Sequence, residues 1–321
     1  MTRLEKLIGI YKEAYQRVLK QLGEAKIHGR WTGTWEQMRM EIEKAVRDLD
    51  AAAVKHGPFI ARDGYMAGLE AAKKVLPSSS FAGINRLSVQ LIAENLVDSL
   101  VDANHYFGRQ TQDRIREIGL EAAAQKLSTG ETTKEIQRRI VEQLTEEGLI
   151  GHVDARGRNI RLDSYAEMVS RTTLREATNT ATVESTRSFG YDLVKMTTHY
   201  PTCAICAPLQ GRVYSISGND ERFPALDDLP GFDKGFKTIH PNCRHVVTPT
   251  IEDGWSDAER EKHLQDAKTP LEGDIRDKAE VDLYNDQRAS QAARWRDRRQ
   301  YERYKAALET TRLRTSAGSV A

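Results

Sequence analysis

Cysteine is scarce in this chain, with three in 321 residues. So few thiols, all between positions 203 and 243, do not make the disulfide framework of a small secreted domain. An excess of charge of one sign is also lacking. Forty-eight Lys and Arg face 47 Asp and Glu, which leaves +1 overall. No global field draws such a chain to nucleic acid or a membrane surface, so any binding of that kind must be local. No window approaches the ~18 apolar residues of a membrane span. The charged start Met-Thr-Arg-Leu-Glu-Lys lacks a signal-peptide apolar core. Together these absences predict a soluble protein that works or is assembled in a reducing cytoplasm. Apolar residues are modest too: 39% hydrophobic against 30% charged, a balance typical of long exposed helices. The length allows two domains, or one domain with a long helical extension.

The chemistry that is present gathers around the cysteines. Cys203 and Cys206 stand in Cys-Ala-Ile-Cys. Cys243 stands in His240-Pro-Asn-Cys243-Arg-His245. A Cys-x-x-Cys turn aims two sulfurs at one point, and a second pair from elsewhere can close a tetrahedron of thiolate and imidazole ligands. Zinc is the expected ion for sulfur and nitrogen donors. Cys203, Cys206 and Cys243 are the three sulfur ligands of this reading, and His240 and His245 compete for the fourth place. Inert buried thiols and a redox Cys-x-x-Cys are the alternatives. The redox reading wants a thioredoxin-like strand-then-helix setting, and it leaves the distant His-x-x-Cys-x-His unexplained.

Before this stretch the chain reads as helix. Leu4, Ile8, Tyr11, Tyr15, Val18 and Leu22 form a heptad seam, with Gly29 as its stop. Trp35, Met38, Ile42, Ala45, Leu49 and Ala52 repeat it until Gly57-Pro58, where the helix is expected to end. The pair suggests an antiparallel hairpin of helices. A third helix is expected over 59–76, then a break at Pro77-Ser-Ser-Ser80. Asn85 is a cap for the next helix, which Gly108 and Gly119 could interrupt. Thr132 with Glu135 makes a capping box. Residues 149–162 read as a β-hairpin around a Gly turn. Ser164 with Glu167 is a second capping box, opening a helix that ends near Phe189 with Gly190 as its C′ residue. That helix is rich in Thr, Ser, Asn and Ala. Close packing through small residues explains it, and a polar site facing the hairpin is the sharper alternative.

Three short strands, over 192–198, 211–217 and 246–251, frame the cysteines, with a loop over 219–238. So small a β unit has little core of its own, and metal binding free energy would add to its folding free energy. That favours a structural, closed zinc site over a catalytic one with an open position. After Trp255 the chain is helical and charged. Residues 288–314 carry nine Lys or Arg against three Asp or Glu, interleaved with Trp295, Tyr301 and Tyr304. Such a helix could bind a phosphate backbone and stack on bases; a solvated helix with an aromatic anchor is the plainer reading. Residues 315–321 read as a disordered tail.

The run Leu209-Gln-Gly-Arg-Val-Tyr-Ser-Ile-Ser-Gly218, followed by His240-Pro-Asn-Cys-Arg-His245, resembles the phage minor capsid protein 2 family. It is also similar to the broader Mu F-like head-morphogenesis proteins. Gly157, Leu162-Asp-Ser-Tyr-Ala-Glu-Met-Val169 and Arg171-Thr172 resemble the same family's hairpin and helix entry. The resemblance covers about residues 130–255. It implies a minor structural protein of a tailed-phage or prophage head, associated with the portal or inner capsid and located in the virion, with the host cytoplasm as its site of assembly. It also carries Cys203, Cys206, His240, Cys243 and His245 over as a metal site.

The expected fold class is therefore α+β. Residues 1–130 form a helical domain with antiparallel heptad helices. Residues 131–255 form a small α+β domain held by zinc, and 256–314 form a charged helical extension before the tail. The expected partners are the portal protein and the major capsid protein, with packaged DNA through 288–314 and no membrane. Two other functions compete with a non-enzymatic assembly role. One is a zinc-dependent nuclease or hydrolase, which needs an open metal site and a nearby base; His199, Asp227, Asp228 and Asp233 are its candidates. The other is a DNA-binding module built on the basic helix.

Overall fold

The computed structural model describes residues 2–24, 31–77, 83–129, 132–235 and 237–269, and a few positions between 282 and 290. Most of the basic segment 288–314, Gly29, and the tail 315–321 lie outside the described residues. The protein is mostly helical, with two small antiparallel sheets.

Helix α1 (Arg3–Glu24) buries Ile8, Tyr11, Tyr15, Val18 and Leu22, the seam expected from its heptads. Helix α2 (Trp31–Lys73) answers with Met38, Ile42, Ala45, Leu49 and Ala52. Ion pairs fix their direction: Arg17 meets Asp48 and Arg3 meets Asp63, each at 3.4 Å, so the helices run antiparallel.

Two expected breaks do not occur. Gly57-Pro58 does not end the second helix; α2 continues to Lys73, and the third helix expected over 59–76 is its second half. A proline inside a helix removes one N–H bond and crowds the carbonyl four residues back. Here that residue is Val54, on an exposed face, where water can serve its carbonyl. Gly57 adds a reason to continue: a Cβ there would lie 2.8 Å from Val97 Cγ2, so the glycine lets the next helix pack close. That helix, α3 (Arg86–Thr129), passes through Gly108 and Gly119 without interruption. Gly108 is likewise a packing glycine, facing Val46. Asn85 caps α3 as expected, its Oδ1 accepting from the Leu87 and Ser88 amides.

Helix α4 (Thr133–Glu147) carries the predicted Thr132–Glu135 capping box. It docks on α1 through Gln137, whose amide donates to the Leu22 and Gly23 carbonyls. Strands β1 (Ile150–Val153) and β2 (Asn159–Arg161) form the expected hairpin. Strand β2 runs directly into α5 (Leu162–Ser188), so the Ser164–Glu167 capping box is not used. The helix starts three residues earlier, at an Arg161 N-cap without a side-chain bond. Asp163 takes over the first turn, accepting from the Ser164 amide and the Arg161 guanidinium. At the other end Gly190 (φ 79°) is the expected C′ residue. Its amide bonds the Arg187 carbonyl and the Tyr191 amide bonds Thr186, a Schellman pattern.

The small residues of α5 are packing residues. At Gly64 and Gly68 of α2, an added Cβ would sit 2.5 Å from the Leu174 carbonyl oxygen and 2.2 Å from that of Thr178. Thr172, Thr178, Thr182 and Thr186 donate to the carbonyls four residues back, so their hydroxyls are satisfied within the helix. One core runs through α1, α2, α3 and α4 and takes in Leu149, Leu162 and Ala166.

After α5 comes a three-stranded antiparallel sheet in the order β4-β3-β5, from β3 (Leu193–Met196), β4 (Val213–Ser215) and β5 (Val247–Pro249). The loop between β4 and β5 holds two single-turn 3-10 helices and buries Leu226, Leu229 and Phe232 under the sheet. Helix α6 (Asp257–Lys268) starts at a Ser256–Glu259 capping box and packs Leu264 and Ala267 near Leu193, Val213 and Phe223. Among the described residues, no helix is long and apolar enough to cross a membrane.

Candidate metal centre

Two turns bring the cysteines together. After β3 the chain folds at Cys203, where the Cys206 and Ala207 amides both bond the Cys203 carbonyl. Before β5 the Cys243 amide bonds the His240 carbonyl. Asn242 makes that turn with φ 62°, a left-handed conformation that asparagine tolerates better than most residues. Helix α5 anchors the second turn. The Asn242 amide donates to Thr172 Oγ1 at 3.1 Å. Asn179 reaches both flanks of the segment, donating to the Lys237 carbonyl and accepting from the Val247 amide. Arg244 ties the turns to each other by donating to the Pro201 carbonyl.

All five predicted ligands meet here. They form two overlapping trios that share Cys206: Cys203, Cys206 and His240, and Cys206, Cys243 and His245. Within each trio the donor atoms lie within 4.8 Å of one another. His240 Nε2 is 3.3 Å from Cys203 Sγ and 3.1 Å from Cys206 Sγ. Cys206 and Cys243 sulfurs are 3.8 Å apart, and Cys243 Sγ is 3.6 Å from His245 Nδ1. Two thiolates bound at ~2.3 Å to one tetrahedral zinc would be separated by about 3.8 Å, so the Cys206–Cys243 edge already has that length.

The outer contacts orient both imidazoles. His240 Nδ1 lies 2.8 Å from the Pro241 carbonyl, which can only accept. A proton on Nδ1 suits that acceptor, and Nε2 is the nitrogen turned to the sulfurs. His245 is arranged the other way round. Its Nε2 is 2.8 Å from Gln210 Oε1, an acceptor that also takes the His199 amide at 3.0 Å. That leaves Nδ1 free to face Cys243. A second partner fixing the coordinating nitrogen is what metal-binding histidines require.

The electrostatics show crowding. Cys203 is pulled down to about 3 by its hydrogen bond with Cys206 and then by His240, against burial. Cys243 falls to about 4, through Cys206 first and His245 after burial's opposing effect. Cys206 is pushed up, because it is the donor to both neighbouring sulfurs. His240 rises to about 9 beside the Cys203 sulfur. The three sulfurs and the His240 imidazole share protons at close range. A divalent cation would displace those shared protons, and the sulfur and nitrogen donor set is one that a zinc-class ion could use.

Of the residues considered for hydrolysis, His199 adjoins the site and the three aspartates join neither trio. His199 lies edge-on to His245 at 5.0 Å between ring centres, and Thr197 Oγ1 is 3.2 Å from its Nε2. Asp227 is exposed and paired with Lys237 at 2.9 Å. Asp228 and Asp233 are exposed on the loop. Among the described residues, no carboxylate joins either trio. Sequence reasoning missed Gln210, Thr172 and Asn179. Gln210 sits in the family-like run after the first cysteines, and Asn179 is a polar residue within a packing helix, but only folding brings them to the site.

Comparison with known proteins gives two matches. The family model described as Phage minor capsid protein 2 matches residues 10–318. That span goes well beyond residues 130–255, where the short motifs lie. A protein of Lactococcus phage LL-H named "Structural protein" is 28% identical over 128 residues, covering 38% of this chain. The match spans 34% of that relative's own length. No solved structure matches significantly.

Proposed function

This chain belongs to the phage minor capsid protein 2 family, and from that membership we propose a specific role. It is a minor structural component of a tailed-phage or prophage head that assembles with the portal protein or the inner face of the major capsid shell. It acts by binding rather than by turnover. The observation that carries this reading is the family match over residues 10–318, which takes in the helical part and the cysteine-bearing part together. The relative from Lactococcus phage LL-H, named a structural protein, supports it.

In this reading a structural zinc, held by Cys203, Cys206 and Cys243 with His240 or His245, crosslinks the two turns. Bound zinc would supply a rigid crosslink. The chain's own residues do the rest: Pro241 and Gln210 orient the imidazoles, and α5 holds the His240–Cys243 turn through Thr172. Five donors around one point favour a closed site over one that keeps a water position. The organisation that goes with this is a helical unit over 1–130, a metal-braced unit over 131–255, a charged extension over 256–314 whose basic segment 288–314 contacts packaged DNA, and a tail over 315–321.

Peptide mass spectrometry on density-banded particles tests the role. Peptides in DNA-filled and empty heads, at a low ratio to the major capsid protein, are the expected result. Peptides in empty procapsids alone would make it a transient assembly factor. Absence from every particle would overturn the virion reading.

A further inference from the structure

Away from the metal centre, α2 and α3 leave a groove of about 660 Å³ between them. The two helices run antiparallel: Asp50 meets Asn104 and His105 at 2.9 Å, while Tyr65 meets the start of α3 at Asn85. The groove's floor is apolar, built from Val54 and Pro58 of α2 and Val89, Ala93 and Val97 of α3. Beside it Leu87 and Leu91, one turn apart on α3, are 65% and 52% exposed, and Val54 is 59% exposed. Isolated exposed leucines are ordinary, but several along one groove mark a binding face.

The rim is polarised. Arg62 and Arg86 stand at the end near the start of α3, and Glu94 and Asp98 stand one to three turns further along. All four are exposed, and none forms an ion pair among the described residues. A two-fold axis perpendicular to the groove would place the basic end of each copy on the acidic end of the other. Leu91 of each copy, midway along the Arg86–Asp98 span, would then lie near the axis. Self-complementarity of this kind defines an isologous interface.

We propose that this groove is a dimerisation face and that its occupant is a second copy of this chain, paired head to tail across a two-fold axis. The inference does not depend on the metal site or on the proposed role in the phage head. The shared face, from Leu87 to Asp98, is about 18 Å long. That is the small end of specific interfaces, and dimerisation in the micromolar range is expected.

Sedimentation velocity on the full chain over a concentration series tests this. The wild type should shift from monomer to dimer as concentration rises. Arg62→Glu with Arg86→Glu should weaken the dimer at least tenfold, because acidic ends then face each other. Glu94→Arg with Asp98→Arg should do the same with basic ends. Mixing the two variants should restore a dimer, now between an all-acidic and an all-basic groove. Circular dichroism of each variant confirms that these surface changes leave the helices folded. Leu91→Gln, which adds no charge and removes exposed apolar surface, should also weaken the dimer. A wild type that stays monomeric to about 100 µM would overturn the proposal. So would a dimer indifferent to all of these substitutions, or a mixture that fails to pair.

Discussion

One oxygen of Gln210 accepts from both the His199 amide and the His245 ring. A single buried amide thereby decides which nitrogen His245 turns to Cys243. At this scale Cys206 carries the most weight, since both donor trios pass through its sulfur. Cys206→Ser should reduce bound zinc from about one equivalent to well under a tenth, measured by elemental analysis of the purified protein. His240→Ala and His245→Ala should differ, and the variant that loses more metal identifies the fourth ligand. His263 gives a separate prediction. It is buried against Trp255, with ring centres 4.8 Å apart. Burial first, then Lys195, lowers it from 6.5. A depressed histidine favours the fold while neutral. Between its folded value and 6.5 the unfolded chain binds more protons, so stability should fall as pH drops below about 6.5. Urea titrations at pH 7.5 and 5.5 should show this loss in the wild type and a smaller one in His263→Gln.

Among the elements, α5 joins the helical part to the sheet part. Its N-terminal half adds Leu162 and Ala166 to the main core, Ala177 and Ala181 pack against α2, and Val183 belongs to the core under the sheet. At Gly68 the backbones of α2 and α5 approach closely. A methyl group there would collide with the backbone oxygen of Thr178 at 2.2 Å and with the Ala181 methyl. Gly68→Ala should therefore cost about 2 kcal/mol or more, the range for overpacking. Gly9→Ala in α1, where a Cβ meets nothing within 4 Å, should instead add about 0.5–1 kcal/mol through helix propensity. Chemical denaturation of both variants checks the opposite signs. The Thr- and Ala-rich composition of α5 was legible as close packing. Its start was not, because Ser164 and Glu167 satisfy a capping pattern that the direct β2-to-α5 passage leaves unused. Glu167 instead reaches Lys12 of α1 and Arg171.

Across the whole molecule, the short-range patterns were decided by the sequence itself. Heptads declared the α1 and α2 seams because side chains three and four apart share a helix face. The Thr132 cap and the Gly190 stop depend on neighbours within a few residues. The two ligand pairs were legible because a two-residue spacing sets the reach of a turn, and the short motifs pointed to the family that the full-length match bears out. Tertiary structure decided the rest. Pro58 breaks a helix only when the ends gain by parting, and α2 continues because α3 and α5 pack along both halves. The convergence of Cys203 and Cys206 with His240, Cys243 and His245 needed the sheet to bring β3 and β5 side by side. The groove's opposed charges come from residues 62 and 98, whose relation exists only once α2 and α3 lie antiparallel. Local spacing fixes what a segment can do. Contacts between segments far apart in the chain determine which of those options is used.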